Sequence, residues 1–153
     1  AAVGAADAVG ARPQGRIDPR FSSLRGQVLE LAGGVTVVND CYNANPMSMR
    51  AALQHLAESP AERRVAVLGR MAELGAGERG FHEEVGDQAD RLGIDVLVAV
   101  GEDASAYAER FGGETYAVAT PEEAGALLGD LARAGDRVLV KGSRSVGLER
   151  VLA

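Results

Sequence analysis

A chain of 153 residues is about one domain's worth of polypeptide, long enough to bury a core of its own. Its apolar share of 46% beside 25% charged residues is that of an ordinary globular protein, and with 4% aromatics and no Trp the interior must be built from Ala, Val and Leu. The net charge of −6 argues against general nucleic-acid binding, which needs a basic face, but leaves room for a single mononucleotide.

The first ten residues, AAVGAADAVG, lack the basic start and long hydrophobic centre of a signal peptide and read as a helix or linker left from a neighbouring domain. From Ala11 to Ser23, Pro13, Gly15 and Pro19 alternate with Arg12, Arg16 and Arg20, which marks a connection. Residues 1–20 are therefore expected to be an interdomain linker and residues 21–153 the folded domain. Gln27–Leu31 and Val35–Val38 read as two strands turned by Gly33-Gly34, a hairpin signal.

Strands and helices then alternate. Pro46–Ala57 carries Met49, Leu53 and Leu56 on a helical spacing, with Asn45 as its cap. Val65–Leu68 is a continuous apolar run, the mark of a strand buried on both faces. Glu78–Leu92 reads as a charged helix whose apolar positions include Phe81, Val85, Ala89 and Leu92, and Val96–Val100 as the next buried strand. Ala104–Phe111 should be helical and Thr115–Val118 a weaker strand. Thr120, Pro121 and Glu123 form a capping-box pattern opening a helix that runs to Ala134. Val138–Val140 is the last buried strand, and Ser145–Leu152 a closing helix. Such alternation gives βαβ units. The predicted fold is α/β, a three-layer Rossmann-like sandwich with a mostly parallel sheet and an N-terminal β-hairpin.

In open parallel sheets ligands bind beyond the carboxyl ends of the strands. Four such ends are polar or Gly-rich here: Asn39–Pro46, Gly69–Met71, Gly101–Asp103 and Lys141–Ser145. Asp40 could accept hydrogen bonds from ribose hydroxyls, and Asn43 and Asn45 offer donors and acceptors. The alternative is that these side chains only satisfy turn amides and cap the next helix. Lys141-Gly142-Ser143-Arg144 places two cations and a Gly turn before an expected helix N-terminus, a setting for a carboxylate or phosphate; the alternative is a solvated basic loop. The Walker A order is absent. The histidines, His55 and His82, flank no serine or cysteine in a nucleophile pattern, and His82 is expected to be structural. Cys41, the single cysteine, has no activating cation nearby and reads as inert; no disulfide, zinc spacing or other metal site is expected, which suits a cytoplasmic protein. No run approaches the roughly 18–20 apolar residues of a membrane span.

The runs NDCYNANPMSMRAAL, AVLGRMAELG, FHEEVG, GIDVLVAVG and VLVKGSRSVGLERVL resemble, in this order and spacing, the C-terminal domain of the Mur ligases, in the branch that adds D-alanyl-D-alanine to UDP-N-acetylmuramoyl-tripeptide. The resemblance runs from about Arg16 to Val151. It implies an ATP- and Mg2+-dependent amide ligase of peptidoglycan synthesis, in which an acyl phosphate is attacked by the dipeptide amine. Its partners would be an N-terminal domain holding the UDP end and a central domain with the P-loop and magnesium ligands. By position, Arg16 would reach the terminal phosphate as the catalytic cation. Asp40, Tyr42, Asn43 and Asn45 would line the nucleotide side, while Lys141, Ser143 and Arg144 would meet the dipeptide. Arg70 departs from the acidic residue usual in the family. Without a P-loop, the chain alone is expected to be inactive; a free-standing nucleotide- or peptide-binding module is the competing reading, and a pure interaction domain a weaker one.

Overall fold

The computed structural model describes residues 24–153. Arg16 and the linker expected over residues 1–20 lie outside them, as do the first three residues of the folded domain. The strands are β1 (Gln27–Leu31), β2 (Val35–Asp40), β3 (Arg63–Gly69), β4 (Val96–Val100), β5 (Glu114–Val118) and β6 (Asp136–Lys141). They form one six-stranded sheet in the order β1-β2-β6-β3-β4-β5. Only β1 is antiparallel, joined to β2 through a turn in which Gly33 and Gly34 take φ of 89° and 79°. The last strand lies between β2 and β3, so the loops following β2, β6 and β3 are neighbours on one sheet edge.

Strand alternation divides the core in two. Val38, Ala66, Leu68, Leu97, Ala99 and Leu139 face α1 (Pro46–Glu58), α2 (Glu78–Arg91) and the 3-10 helix Glu102–Arg110. Val35, Val37, Val65, Val67, Val96, Val98, Val138 and Val140 face α3 (Pro121–Leu131) and the C-terminal segment Leu148–Leu152. Both faces are covered, giving the three layers expected.

Several elements differ from the sequence expectation. The first buried residue of α2 is His82, whereas Phe81 is 36% exposed, one position off the buried stripe His82, Val85, Gly86, Ala89. The segment expected as a helix over Ala104–Phe111 is 3-10, with Ala104 and Tyr107 buried three residues apart. Helix α3 stops at Leu131 rather than Ala134. The reason is a competing network: Arg63 donates to the Leu131 carbonyl (2.8 Å) and to Asp136 (2.6 Å), while Asp136 takes the Arg133 N–H (2.8 Å). The closing helix is two 3-10 pieces, Arg144–Val146 and Leu148–Leu152, broken where Gly147 takes φ of 69°.

Gly86 is where α2 touches the 3-10 helix; a Cβ there would lie 2.0 Å from the Tyr107 carbonyl oxygen. Gly86→Ala is expected to destabilise the domain by about 2–3 kcal/mol through overpacking. Gly80→Ala, which meets open space, should be neutral or slightly stabilising. Urea unfolding of the two variants checks the contrast.

In the same way, the nearly buried Arg63–Asp136 pair sets an acid limit on stability. Burial alone would raise the Asp136 carboxyl, but hydrogen bonds from Arg63 and the Arg133 N–H outweigh it, so the folded value lies below the ordinary 3.8. A depressed carboxylate contributes stability that is present above its unfolded value and lost as pH falls through the folded one. Asp136→Asn should therefore be destabilised relative to wild type at pH 7, with the gap closing below about pH 4. Thermal unfolding across pH measures it.

Candidate functional site

The β2–β6 register places Asp40 opposite Lys141. Lys141 is 2% exposed, and its ammonium donates to Asp40 Oδ2 (2.5 Å) and to the Asn43 carbonyl (3.0 Å). A buried ammonium is tolerable only when paired and hydrogen-bonded, as here. The sequence reading put Asp40 on the nucleotide side and Lys141 on the dipeptide side; the structure joins them in one ion pair.

The chain then turns through Cys41–Asn45. Asn43 Oδ1 accepts from the Ala44 N–H (2.8 Å), and Asn45 Oδ1 from the Ser48 N–H (2.8 Å), with Ser48 Oγ accepting from the Asn45 N–H (3.0 Å). Asn45 is thus the cap of α1 in a capping box, with Pro46 in the first turn. The carboxamide oxygens of both Asn serve the turn, leaving their NH2 groups as what each can offer a ligand.

Tyr42 stands 44% exposed, with the Arg25 guanidinium 3.9 Å over its ring. The Tyr42 N–H donates to the Leu24 carbonyl (3.0 Å), which carries Arg25 to this position. Arg25, Gly26, Asp40, Tyr42, Asn43, Asn45 and Ser48 line an open cleft of about 500 Å³. A narrower apolar recess of about 110 Å³, lined by Val38, Ala52, Leu56 and Leu139, shares Gly26 and Asp40 with it.

Ser143 is 5% exposed and ties three loops together. Its Oγ accepts from the Ala72 N–H (2.9 Å) and donates to the Ala44 carbonyl (3.5 Å), while its N–H donates to the Arg70 carbonyl (2.9 Å). Only the single 3-10 turn Arg144–Val146 follows, so the helix N-terminus expected to help bind an anion is not formed. The exposed Arg144 is left as the cation of this loop, paired with Glu149 at 3.3 Å.

Arg70 forks onto Glu78 (2.5 and 3.0 Å) and reaches Asp103 (3.2 Å), joining the ends of β3 and β4 to α2. The hydrogen bond from Arg70, reinforced by its charge, holds the Glu78 carboxyl below its usual range. Behind it, His82 Nε2 accepts the Met71 N–H (2.9 Å) while Nδ1 faces the Glu78 carbonyl (2.7 Å), which requires a neutral ring protonated on Nδ1. The Tyr107 hydroxyl donates to the Gly69 carbonyl (2.9 Å). These groups are framework for the Gly69–Ala72 loop.

The family model described as "Mur ligase, glutamate ligase domain" matches residues 24–144. The chain belongs to the Mur ligase family. It is 45% identical over 148 residues to the UDP-N-acetylmuramoyl-tripeptide–D-alanyl-D-alanine ligase of Mycobacterium leprae, a match covering 83% of this chain and 29% of that protein. It is 41% identical to the Escherichia coli ligase of the same name, covering 81% of this chain and 27% of the other. Among solved structures, MurF ligase from Thermotoga maritima in complex with ADP superposes with a TM-score of 0.82 at 28% identity, covering 98% of this chain and 35% of that one. MurF from Acinetobacter baumannii gives 0.79 at 31% identity, covering 99% and 34%. The chain thus spans about a third of the length of these Mur ligases.

The matched region starts at residue 24, so it includes Arg25 and excludes Arg16. The sequence reading placed its arginine at Arg16, which lies outside the described residues, and did not weigh Arg25. Arg25 lies two residues before β1, the strand that pairs with the one ending at Asp40.

Cys41, between Asp40 and Tyr42 but packed in the core, is 1% exposed and donates to the Val140 carbonyl at 3.4 Å. Burial first, and the charges of Glu149 and Asp40 after it, push the thiol up to about 12. It should stay unmodified by a thiol reagent at pH 8 in the native protein and react once unfolded in urea; rapid native labelling would contradict the buried site.

Proposed function

We propose that this Mur ligase domain closes one side of an ATP site in a cytoplasmic ligase that joins D-alanyl-D-alanine to UDP-N-acetylmuramoyl-tripeptide during peptidoglycan synthesis. The observation that carries the proposal is the convergence of Arg25, Tyr42 and Asp40 on one cleft at the carboxyl edge of the sheet. The activities for which the relatives are named supply the substrates, and the ADP complex of the Thermotoga maritima enzyme supports the nucleotide.

In this reading the free oxygen of Asp40 accepts from ribose hydroxyls, and the NH2 groups of Asn43 and Asn45 orient polar groups beside it. Tyr42 offers an apolar face. The phosphate role that the resemblance implies for Arg16 is assigned to Arg25, whose guanidinium stands at the cleft and would neutralise charge during phosphoryl transfer. ATP supplies the phosphoryl group that activates the tripeptide carboxylate; the dipeptide amine then displaces phosphate. Arg144, on a loop held by Ser143, is the cation offered to the dipeptide carboxylate. Among the described residues no group of three His, Cys, Asp or Glu side chains converges to hold a metal, so no magnesium ligand is assigned here. The P-loop and magnesium ligands are proposed to come from a central domain and the UDP site from an N-terminal one. The exposed Tyr42 in the cleft and Met47 (78%) in the first turn of α1 suit contact with such a neighbour. No helix of the described residues is long and apolar enough to cross a membrane.

Titration calorimetry of this chain with ATP-Mg and with D-alanyl-D-alanine should show at most weak binding of either, as for half of a site. In the full-length ligase, Arg25→Ala and Asp40→Ala should each lower kcat/KM for ATP by roughly 10- to 100-fold. Tight binding of either ligand by this chain alone would favour a self-sufficient binding module, and unaltered ATP kinetics in both variants would overturn the cleft assignment.

A further inference from the structure

Lys141 is a cation bonded to two residues that line a proposed ligand site, yet it is itself buried. At 2% exposure it has no open face for a dipeptide carboxylate, and two of its three N–H donors are taken by Asp40 Oδ2 and the Asn43 carbonyl. Both acceptors belong to the loop that lines the cleft. The Asp40 side chain, by contrast, remains 26% exposed. One carboxylate oxygen is thus anchored from below while the other is left for a ligand. The Asn43 carbonyl is fixed by the same ammonium, which sets the direction of the chain between Tyr42 and Asn45.

From this geometry we infer that Lys141 is a positioning residue for the nucleotide side of the site: it orients Asp40 and the Asn43 backbone, and it does not touch the acceptor dipeptide. A carboxylate on an exposed strand end otherwise samples several rotamers, and a hydrogen bond to ribose demands one of them. The ammonium selects it, and its burial keeps water from competing for the same oxygen. The inference rests on the nucleotide reading of the cleft, and the experiment separates the two.

Steady-state kinetics of the full-length ligase are measured for Lys141→Met, Asp40→Asn and the double variant, varying ATP and D-alanyl-D-alanine in turn. Lys141→Met is expected to raise the KM for ATP by about 10-fold and leave the dipeptide KM within about 2-fold, because only one ligand is reached through Asp40. In the Asp40→Asn background the same change should add little, since the group Lys141 positions is already altered. Lys141→Gln, which can still donate to both acceptors, should recover part of the loss and carries the test if the Met variant does not fold. A rise confined to the dipeptide KM, or effects that simply add in the double variant, overturns the positioning role. Failure of both Met and Gln variants to fold also overturns it, making the ammonium a requirement of the fold itself. If Asp40→Asn leaves the ATP KM unchanged, the nucleotide reading itself falls; if it raises that KM and Lys141→Met does not, only the present inference falls.

Discussion

The ion pair between Lys141 and Asp40 is the interaction on which the site depends. It joins the carboxyl ends of β2 and β6, strands whose paired residues are 101 positions apart in sequence. An isolated buried ammonium would be costly, and removing one member of a buried pair costs on the order of 3–5 kcal/mol. The sheet therefore has to bring the two ends into register. Once it does, Asn43 is fixed by the same ammonium, Ser143 links the Ala44 and Ala72 backbones, and Arg70 extends the framework to β4. Three loops distant in sequence become one surface.

That surface divides into groups that build and groups that are offered. Lys141, Ser143, His82 and Tyr107 are buried, and each satisfies a backbone carbonyl or amide of a site loop. Arg25, Tyr42 and Asp40 reach the cleft, and Arg144 is exposed on the loop after β6. A binding wall made in this way is pre-organised but one-sided: it has an aromatic face, a carboxylate and cations, with no metal-holding cluster of three His, Cys, Asp or Glu among the described residues. Such a wall suits a domain that acts by closing against another.

Much of this was legible in the sequence. Continuous Val-rich runs gave away β3, β4 and β6 because strands buried on both faces leave no polar positions, and Gly33-Gly34 marked the hairpin. Asn45 and Pro46 spelled the start of α1 in purely local chemistry, which Ser48 completes as a capping box in the structure. What the sequence hid was set by distant partners. The end of α3 depends on Arg63 and Asp136, which no local pattern connects to Leu131. Phe81 outranks His82 on any hydrophobicity scale, yet His82 is buried because the Met71 amide needs its acceptor nitrogen. The inward turn of Lys141 follows from the β2–β6 register, and Arg25 gains its place from the β1 hairpin and the bond between Tyr42 and Leu24. A basic residue beside a glycine looks the same in sequence whether it faces a ligand or the core.

The most direct measurement of the central claim is a crystal structure of the full-length ligase with a non-hydrolysable ATP analogue and D-alanyl-D-alanine. The account predicts ribose hydroxyls within hydrogen-bond distance of Asp40, phosphate oxygens facing Arg25, and Lys141 still bound to Asp40 with no dipeptide contact. A nucleotide seated away from this cleft, or a dipeptide carboxylate bound directly to the Lys141 ammonium, would contradict it.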